Sequence, residues 1–201
     1  MKVTIIDYGA GNVPSVERAL QRLGAESQGT ASPECISQAE ALLLPGVGHY
    51  TALVRALDEQ DLRAPLIDAI GRGVPFLGIC LGLQVLYESS EEAPQLLGLE
   101  LLPGKVRALP ARVKLPHMGW NRVAARRESR LLAGIDPGAY FYFAHSYAAL
   151  DSNGAAAATC SYGAEFAAVI EQQNIFAVQF HPEKSGDSGA RVLQNFLRAA
   201  A

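Results

Sequence analysis

From Val3 to Glu88 the chain alternates short apolar runs that end at glycine-rich turns with stretches whose apolar residues recur at helical spacing. Strands that alternate with helices run in one direction, so this pattern implies a parallel sheet covered on both faces. Val3–Asp7 reads as the first strand and runs into Tyr8-Gly9-Ala10-Gly11-Asn12. A helix should follow, with Asn12 near its N-cap and Pro14 in its first turn, where a missing N–H costs little. Val16, Ala19, Leu20 and Leu23 share one face of it, and Gly24 is the expected stop. Ala41–Leu44 reads as a second buried strand that ends at Pro45-Gly46-Val47-Gly48. Helical stretches follow around Ala52–Leu57 and Pro65–Ile70, then a strand at Val74–Ile79 with the helix Leu81–Glu88 behind it.

The second half changes character. Leu99–Leu109, Ala139–Ala149, Ala155–Cys160, Ala167–Glu171 and Ile175–Phe180 read as short strands separated by Gly, Pro, Asn and Asp. A final helix, Gly189–Ala200, gathers Val192, Leu193, Phe196 and Leu197 on one face. There is no internal repeat, low-complexity tract or linker. The expectation is a single α/β domain over residues 1–201, with a mostly parallel central sheet flanked by helices and a β-rich second half.

Composition narrows the functional classes. With 201 residues, 49% hydrophobic and 18% charged, the chain can bury a full core. A formal charge of −3 argues against nucleic-acid binding. The one basic cluster, Arg122, Arg126, Arg127 and Arg130, is interrupted by Glu128 and reads as a solvated surface segment, with a local anion or partner contact as the alternative. No apolar run approaches the roughly 18 residues of a membrane span, and the start of the chain meets a charge too soon for a signal peptide. Cys35, Cys80 and Cys160 are widely and irregularly spaced, which suits reduced thiols. A soluble, cytoplasmic protein is expected.

Gly78-Ile79-Cys80-Leu81-Gly82 sets one of these cysteines between two close glycines at a strand-to-helix junction. This is the thiol version of a nucleophile elbow, in which a sharp turn exposes the reactive atom and glycines let strand and helix pack around it. A helix N-terminus at that point favours thiolate. The alternative is a small buried apolar residue at a strand end. Cys35 and Cys160 lack such surroundings and read as ordinary cysteines.

Gln179-Phe180-His181-Pro182-Glu183 follows another apolar strand. Residues two apart on an extended chain point to the same side, and Pro182 disfavours helix at His181. His181 and Glu183 can then face one target, with Glu183 on one imidazole nitrogen and a thiol on the other. The alternative is a strand-end turn with solvated side chains. Active sites of open parallel sheets gather at the carboxyl ends of the strands. Cys80, Gly48 and His181 all follow strands, so one pocket can receive them.

Other features carry less. Gly9-Ala10-Gly11 lacks the third glycine of a dinucleotide fingerprint, since Pro14 stands there. His49, His117 and His145 show no metal-ligand spacing, so neither cofactor nor metal is expected.

The segments Gly78-Ile-Cys-Leu-Gly-Leu-Gln84 and Phe180-His-Pro-Glu183 resemble the two signatures of the class I (triad) glutamine amidotransferases. Leu44-Pro-Gly-Val-Gly48, His117-Met-Gly-Trp-Asn121 and Phe143-Ala-His-Ser-Tyr147 narrow the resemblance to the glutaminase subunits of imidazole glycerol phosphate synthase, of histidine biosynthesis. The likeness runs from the first strand to the last helix. Leu83 stands where methionine is common, and Arg122 departs after the tryptophan–asparagine pair.

The resemblance implies a flavodoxin-like fold and hydrolysis of L-glutamine to glutamate and ammonia through a thioester on Cys80, with His181 as base and Glu183 as its support. Oxyanion donors would come from Leu81 and the Val47, Gly48 segment, where glycine permits a peptide flip that a partner could switch. Gln84 and Glu92, with Ser146 and Tyr147, would bind the glutamine. Ammonia would pass to a barrel-shaped cyclase subunit in a heterodimer, docked on a face that includes Asn12, Trp120, Tyr142 and Lys184. The competing readings are a glutaminase that feeds another synthase, such as the pyridoxal phosphate type, a cysteine hydrolase acting alone, and a catalytically silent scaffold subunit.

Overall fold

The computed structural model describes residues 1–150 and 154–201. The first half holds β1 (Lys2–Ile6), α1 (Val13–Arg22), β2 (Glu26–Thr30), α2 (Pro33–Ser37), β3 (Ala41–Gly46), α3 (Tyr50–Glu59), α4 (Arg63–Gly71), β4 (Phe76–Cys80) and α5 (Leu81–Gln84). Strands then dominate: β5 (Tyr87–Ser90), β6 (Leu102–Ala108), β7 (His117–Arg122), β8 (Ala124–Ala125), β9 (Tyr140–His145), β10 (Tyr147–Ala148), β11 (Ala156–Tyr162), β12 (Ala164–Gln172) and β13 (Ile175–Val178). A 3-10 turn, Pro182–Lys184, and α6 (Gly186–Ala200) close the chain.

Among the described residues the central sheet has the order β2-β1-β3-β4-β13-β12-β11-β8. Its β2-β1-β3-β4-β13 portion is parallel and its β13-β12-β11-β8 portion antiparallel. The alternation of the pleat sorts the strand residues onto two apolar faces. Val3 and Ile5, Ala41 and Leu43, and Leu77 and Ile79 pack with Val16 and Leu20 of α1 and Val192, Leu193 and Phe196 of α6. Ile6, Leu42, Leu44 and Phe76 turn the other way, onto Leu53, Leu57, Leu66 and Leu83 from α3, α4 and α5. The fold is the expected α/β domain, with a mixed central sheet flanked by helices.

Helix α1 begins and ends where the residues require, but Asn12 does not cap it with its side chain. At the other end Gly24 adopts φ +74°, and the Ala25 N–H reaches the Leu20 carbonyl at 3.1 Å. The run Leu81–Glu88 was expected to be one helix and is not. Only α5 is helical, and Tyr87–Ser90 joins β6 in a parallel pair. The Val85 and Leu86 carbonyls accept from Leu99 and from Leu101 and Leu102, so the chain is drawn into a second layer before another helical turn can form.

The four arginines of the basic cluster are exposed, as expected, but three of them are also tied down. Arg126 bonds Thr159 Oγ1 at 2.9 Å and pairs with Glu165, and Arg127 donates to the Glu171 carbonyl. Arg130 meets Glu171 at 2.7 Å, with Ser129 Oγ on the other carboxylate oxygen at 2.9 Å. Glu171 is buried, and a buried carboxylate must be paired, so the arginines strap this segment to β11 and β12. Among the described residues no helix is long and apolar enough to cross a membrane.

Candidate active site

The parallel strands β3, β4 and β13 stop side by side, with Gly46 in register with Cys80 and Val178 with Ile79. At their carboxyl ends lies a cavity of about 380 Å³. It brings together Cys80, Leu81, Gln84 and His181 with Val47, Gly48, Glu92, Ser146, Tyr147 and Lys184. Every residue the sequence nominated for oxyanion or glutamine binding therefore lines one space.

Cys80 is the hinge between strand and helix and takes φ +55°, ψ −103°. That conformation is costly for a residue with a Cβ, and it turns the thiol out of the strand direction. Close approach of backbones makes the turn possible. A Cβ on Gly46 would lie 2.4 Å from the Leu81 Cβ, and one on Gly82 only 2.0 Å from the Leu44 carbonyl oxygen. With a single helical turn behind the sulfur, little macrodipole acts on it. What α5 does supply is the Leu81 N–H, which as the first helical residue has no acceptor within the helix.

His181 faces this sulfur. The segment does not stay extended after it, as expected, but folds into the 3-10 turn at Pro182, where proline's fixed φ fits the first position. Ser185 Oγ closes the turn on the His181 carbonyl at 2.7 Å and accepts from Tyr142 N–H at 2.9 Å, while His181 N–H donates to the Tyr142 carbonyl at 2.8 Å. Strand β9 thus holds both sides of the histidine. The turn still delivers Glu183, whose Oε1 accepts from His181 Nδ1 at 3.0 Å, with both side chains buried. Asn12 Nδ2 approaches the same oxygen at 3.4 Å, so the Asn12 side chain supports the carboxylate while its backbone carbonyl, as the N-cap, starts α1. Burial opposes charge on the imidazole, yet the adjacent Cys80, by charge and hydrogen bonding, and Glu183 push His181 up to about 10. Both neighbours thus act against burial to favour the charged imidazole. Cys160, by contrast, is pushed up to about 12 by burial and stays a thiol, and Cys35 is exposed.

The Val47, Gly48 segment lines the cavity where the sequence reading put it. Gly48 takes φ +92°, but the Val47 N–H donates to Tyr8 Oη at 3.3 Å. While so engaged it is not a donor toward Cys80. Burial holds the Tyr8 phenol at about 12, so it remains a neutral acceptor. Glu92 is no solvated acid either. Its Oε2 accepts from the first N–H of α3, at Tyr50, at 3.0 Å, and its Oε1 lies 3.6 Å from His49 Nε2.

Gln84 Nε2 donates to the Tyr147 carbonyl at 2.8 Å and to Gln179 Oε1 at 3.1 Å, and Gln179 Nε2 lies 3.6 Å from Cys80 Sγ. Tyr8 and Gln179 were missed by sequence reading, since no local pattern links them to Val47 or Cys80. The Tyr147 carbonyl also accepts from His145 Nδ1 at 2.9 Å, whose Nε2 meets His117 Nδ1 at 3.0 Å, with Asn121 Nδ2 3.3 Å from His117 Nε2. A carbonyl only accepts, so this order sets both tautomers and keeps both rings neutral. Burial lowers His117 to about 4 and His145 to about 3.

Those two values have a stability consequence. Unfolded histidines bind protons below about pH 6.5, while the folded pair refuses them, so stability present above that pH is lost as it falls toward 4 and then 3. The loss is up to about 1.4 kcal/mol per pH unit for each ring. Urea midpoints at pH 7 and pH 5 should therefore fall further for the wild type than for His145→Gln. Equal falls would mean that the pair does not govern acid sensitivity.

Of the residues nominated for docking, Trp120 is 55% exposed and packs edge-on against Tyr142, directly across the β7–β9 ribbon. Met118 and Tyr140 are exposed beside them, and Lys184 lies exposed over the Tyr142 ring. Asn12 is half-buried against Glu183 and is the least available of the four.

The profile of the family described as Glutamine amidotransferase class-I matches residues 4–200. The chain is 48% identical over 195 residues to Imidazole glycerol phosphate synthase subunit HisH of Methanothermobacter thermautotrophicus, covering 97% of each chain. It is likewise 48% identical to the protein of that name from Moorella thermoacetica, covering 96% of this chain and 93% of that one. Among solved structures it superposes on a glutamine amidotransferase with a TM-score of 0.79 at 20% identity, covering 98% of each chain. PurLQS from Thermotoga maritima gives a TM-score of 0.78 at 18% identity, covering 100% of this chain and 99% of the other; both likenesses bear on fold alone.

Proposed function

We propose, since the chain belongs to the class-I glutamine amidotransferase family, that it is the glutaminase subunit of imidazole glycerol phosphate synthase and that residues 1–201 act as one such domain. The single observation that carries the chemistry is the meeting of Cys80 and His181 in one cavity although a hundred positions separate them. In this reading Cys80 sulfur attacks the side-chain amide carbon of glutamine and forms a tetrahedral adduct. His181, already protonated, gives its proton to the amide nitrogen as the carbon–nitrogen bond breaks, and ammonia leaves. The neutral imidazole then takes a proton from water, which opens the thioester and releases glutamate. Glu183 keeps Nδ1 protonated throughout and stabilises the imidazolium.

The adduct oxygen is stabilised by the Leu81 N–H and by the Val47 N–H once that peptide leaves Tyr8 and turns inward, a rotation Gly48 tolerates. Gln84, whose Oε1 has no partner among the described residues, accepts from the substrate, Glu92 binds its ammonium, and Ser146 with Tyr147 binds its carboxylate. No cofactor or metal enters these steps.

Ammonia is consumed by a cyclase subunit, a barrel protein that docks on the outer face of the β7–β9 ribbon to form a heterodimer. Met118, Trp120, Tyr140 and Arg122 form that exposed face, Tyr142 and Lys184 continue it, and Pro116 and Ala144 carry it into the cavity wall. An exposed aromatic patch rimmed by charge is suited to a partner. All three cysteines are unpaired, which fits the reducing cytoplasm where we place the complex.

The test is glutamate release by the pure chain, with and without the cyclase and its nucleotide ligand. The expected result is a slow rate alone and a rise of roughly a hundredfold or more in the complex, the size of one missing oxyanion donor. A rate that does not respond to the cyclase would instead indicate a hydrolase acting alone.

A further inference from the structure

We propose that Gln179 is a further catalytic residue, whose side-chain N–H donates to the Cys80 sulfur and holds it as an aimed thiolate. The proposal rests on the reading of Cys80 as nucleophile. It is carried by geometry: Gln179 is fully buried directly after β13, its backbone N–H is anchored on the Ala168 carbonyl at 3.0 Å, and its Nε2 lies 3.6 Å from the sulfur.

Amide oxygen and nitrogen look alike, so the orientation must be earned from the neighbours. The chain of bonds fixes it. The Tyr147 carbonyl can only accept, so the Gln84 atom that meets it at 2.8 Å is nitrogen. That NH2 group has a second proton, and the Gln179 atom 3.1 Å away must accept it, so it is oxygen. The remaining terminal atom of Gln179 is then NH2, and it is the one that faces sulfur. Reversing Gln179 would set two NH2 groups against each other and an oxygen against the sulfur. Reversing both glutamines would set two oxygens together at Tyr147. His145 locks the origin of the chain, because its Nδ1–H occupies the same carbonyl.

A buried N–H on sulfur does two things. It favours the anion over the thiol, since a hydrogen bond to the charged form stabilises it. It also supplies a second fixed direction, His181 being the first, so that the sulfur lone pair presented to substrate is defined. An imidazolium alone would leave the sulfur free to swing about the Cα–Cβ bond.

The test reads sulfur reactivity separately from glutamine turnover. Cys80 alkylation by iodoacetamide is followed from pH 5.5 to 9 in the wild type, Gln179→Leu and Gln179→Glu. Removing the donor should slow alkylation at pH 7 by about ten- to a hundredfold and move the pH dependence upward, and a carboxylate there should slow it further. In the complex kcat for glutamine should fall by a similar factor with little change in KM. A third measurement needs no variant: the Gln179 side-chain amide protons, assigned by NMR in the wild-type chain, should shift as Cys80 titrates and again on alkylation. Superimposable alkylation curves in folded variants, or amide protons indifferent to the state of Cys80, would overturn the proposal. Failure of the wild-type Cys80 to react would instead sink the nucleophile reading, which is a different outcome.

Discussion

Replacing Cys80 by alanine is expected to lower glutamine-dependent synthesis by the complex about a thousandfold or more, while synthesis from added ammonium salts continues at the wild-type rate. The split follows from the proposed division of labour, in which the cysteine makes ammonia and another subunit uses it. Alanine keeps the Cβ and hence the backbone conformation at φ +55°, so the fold around the elbow should persist. Serine would retain a hydroxyl in the sulfur's place, but an alcohol paired with His181 is far from ionised at neutral pH. Glutamine-dependent synthesis that survives in Cys80→Ala would return the silent-scaffold reading to first place.

The second large effect is on stability. Gly82→Ala should cost about 3 kcal/mol, at the upper end of what overpacking does, because the new Cβ would lie 2.0 Å from the Leu44 carbonyl oxygen. For a chain of this size that corresponds to a fall of about 6–12 °C in Tm. The obstacle is backbone, not a side chain that can rotate away, so either β3 or α5 must move. Movement there also displaces Leu81 and the sulfur, so activity should fall more than the lost stability alone explains. Gly71→Ala is the matched control: it ends α4, nothing beyond its own helical turn lies within 4 Å of its Cβ position, and it should be neutral or mildly stabilising. Equal melting temperatures for the two variants would refute the close-packing argument.

The parts of the site that were legible in the sequence are those whose chemistry is encoded locally. Cys80 stands between glycines at a strand end, and His181 and Glu183 are two apart, so each motif announces its own geometry. The strand that anchors the sheet's edge did not announce itself. Glu26–Thr30, Glu-Ser-Gln-Gly-Thr, contains no apolar residue, and it pairs with β1 along an exposed edge where alternation is not enforced. Helix α2 was also missed, although Ser32 before Pro33 and Glu34 is a legible start, because five residues give too few turns for a periodic signal. At Val85-Leu86-Tyr87 the apolar run was read as helix; all three are buried on every side, and periodicity cannot separate that from a chain passing between layers. Gln179, Tyr8 and the His117–His145 pair act through partners 28 to 99 positions away. Such contacts exist only after the sheet has assembled, and a linear pattern cannot show them.

Of all the residues at the mouth of the sheet, the one with the least comfortable backbone is Cys80 itself. Glycine in its place would relax that torsion and delete the sulfur in the same step. At this position, then, conformational ease and chemical silence lie in one direction, and reactivity persists only against the grain of the main chain.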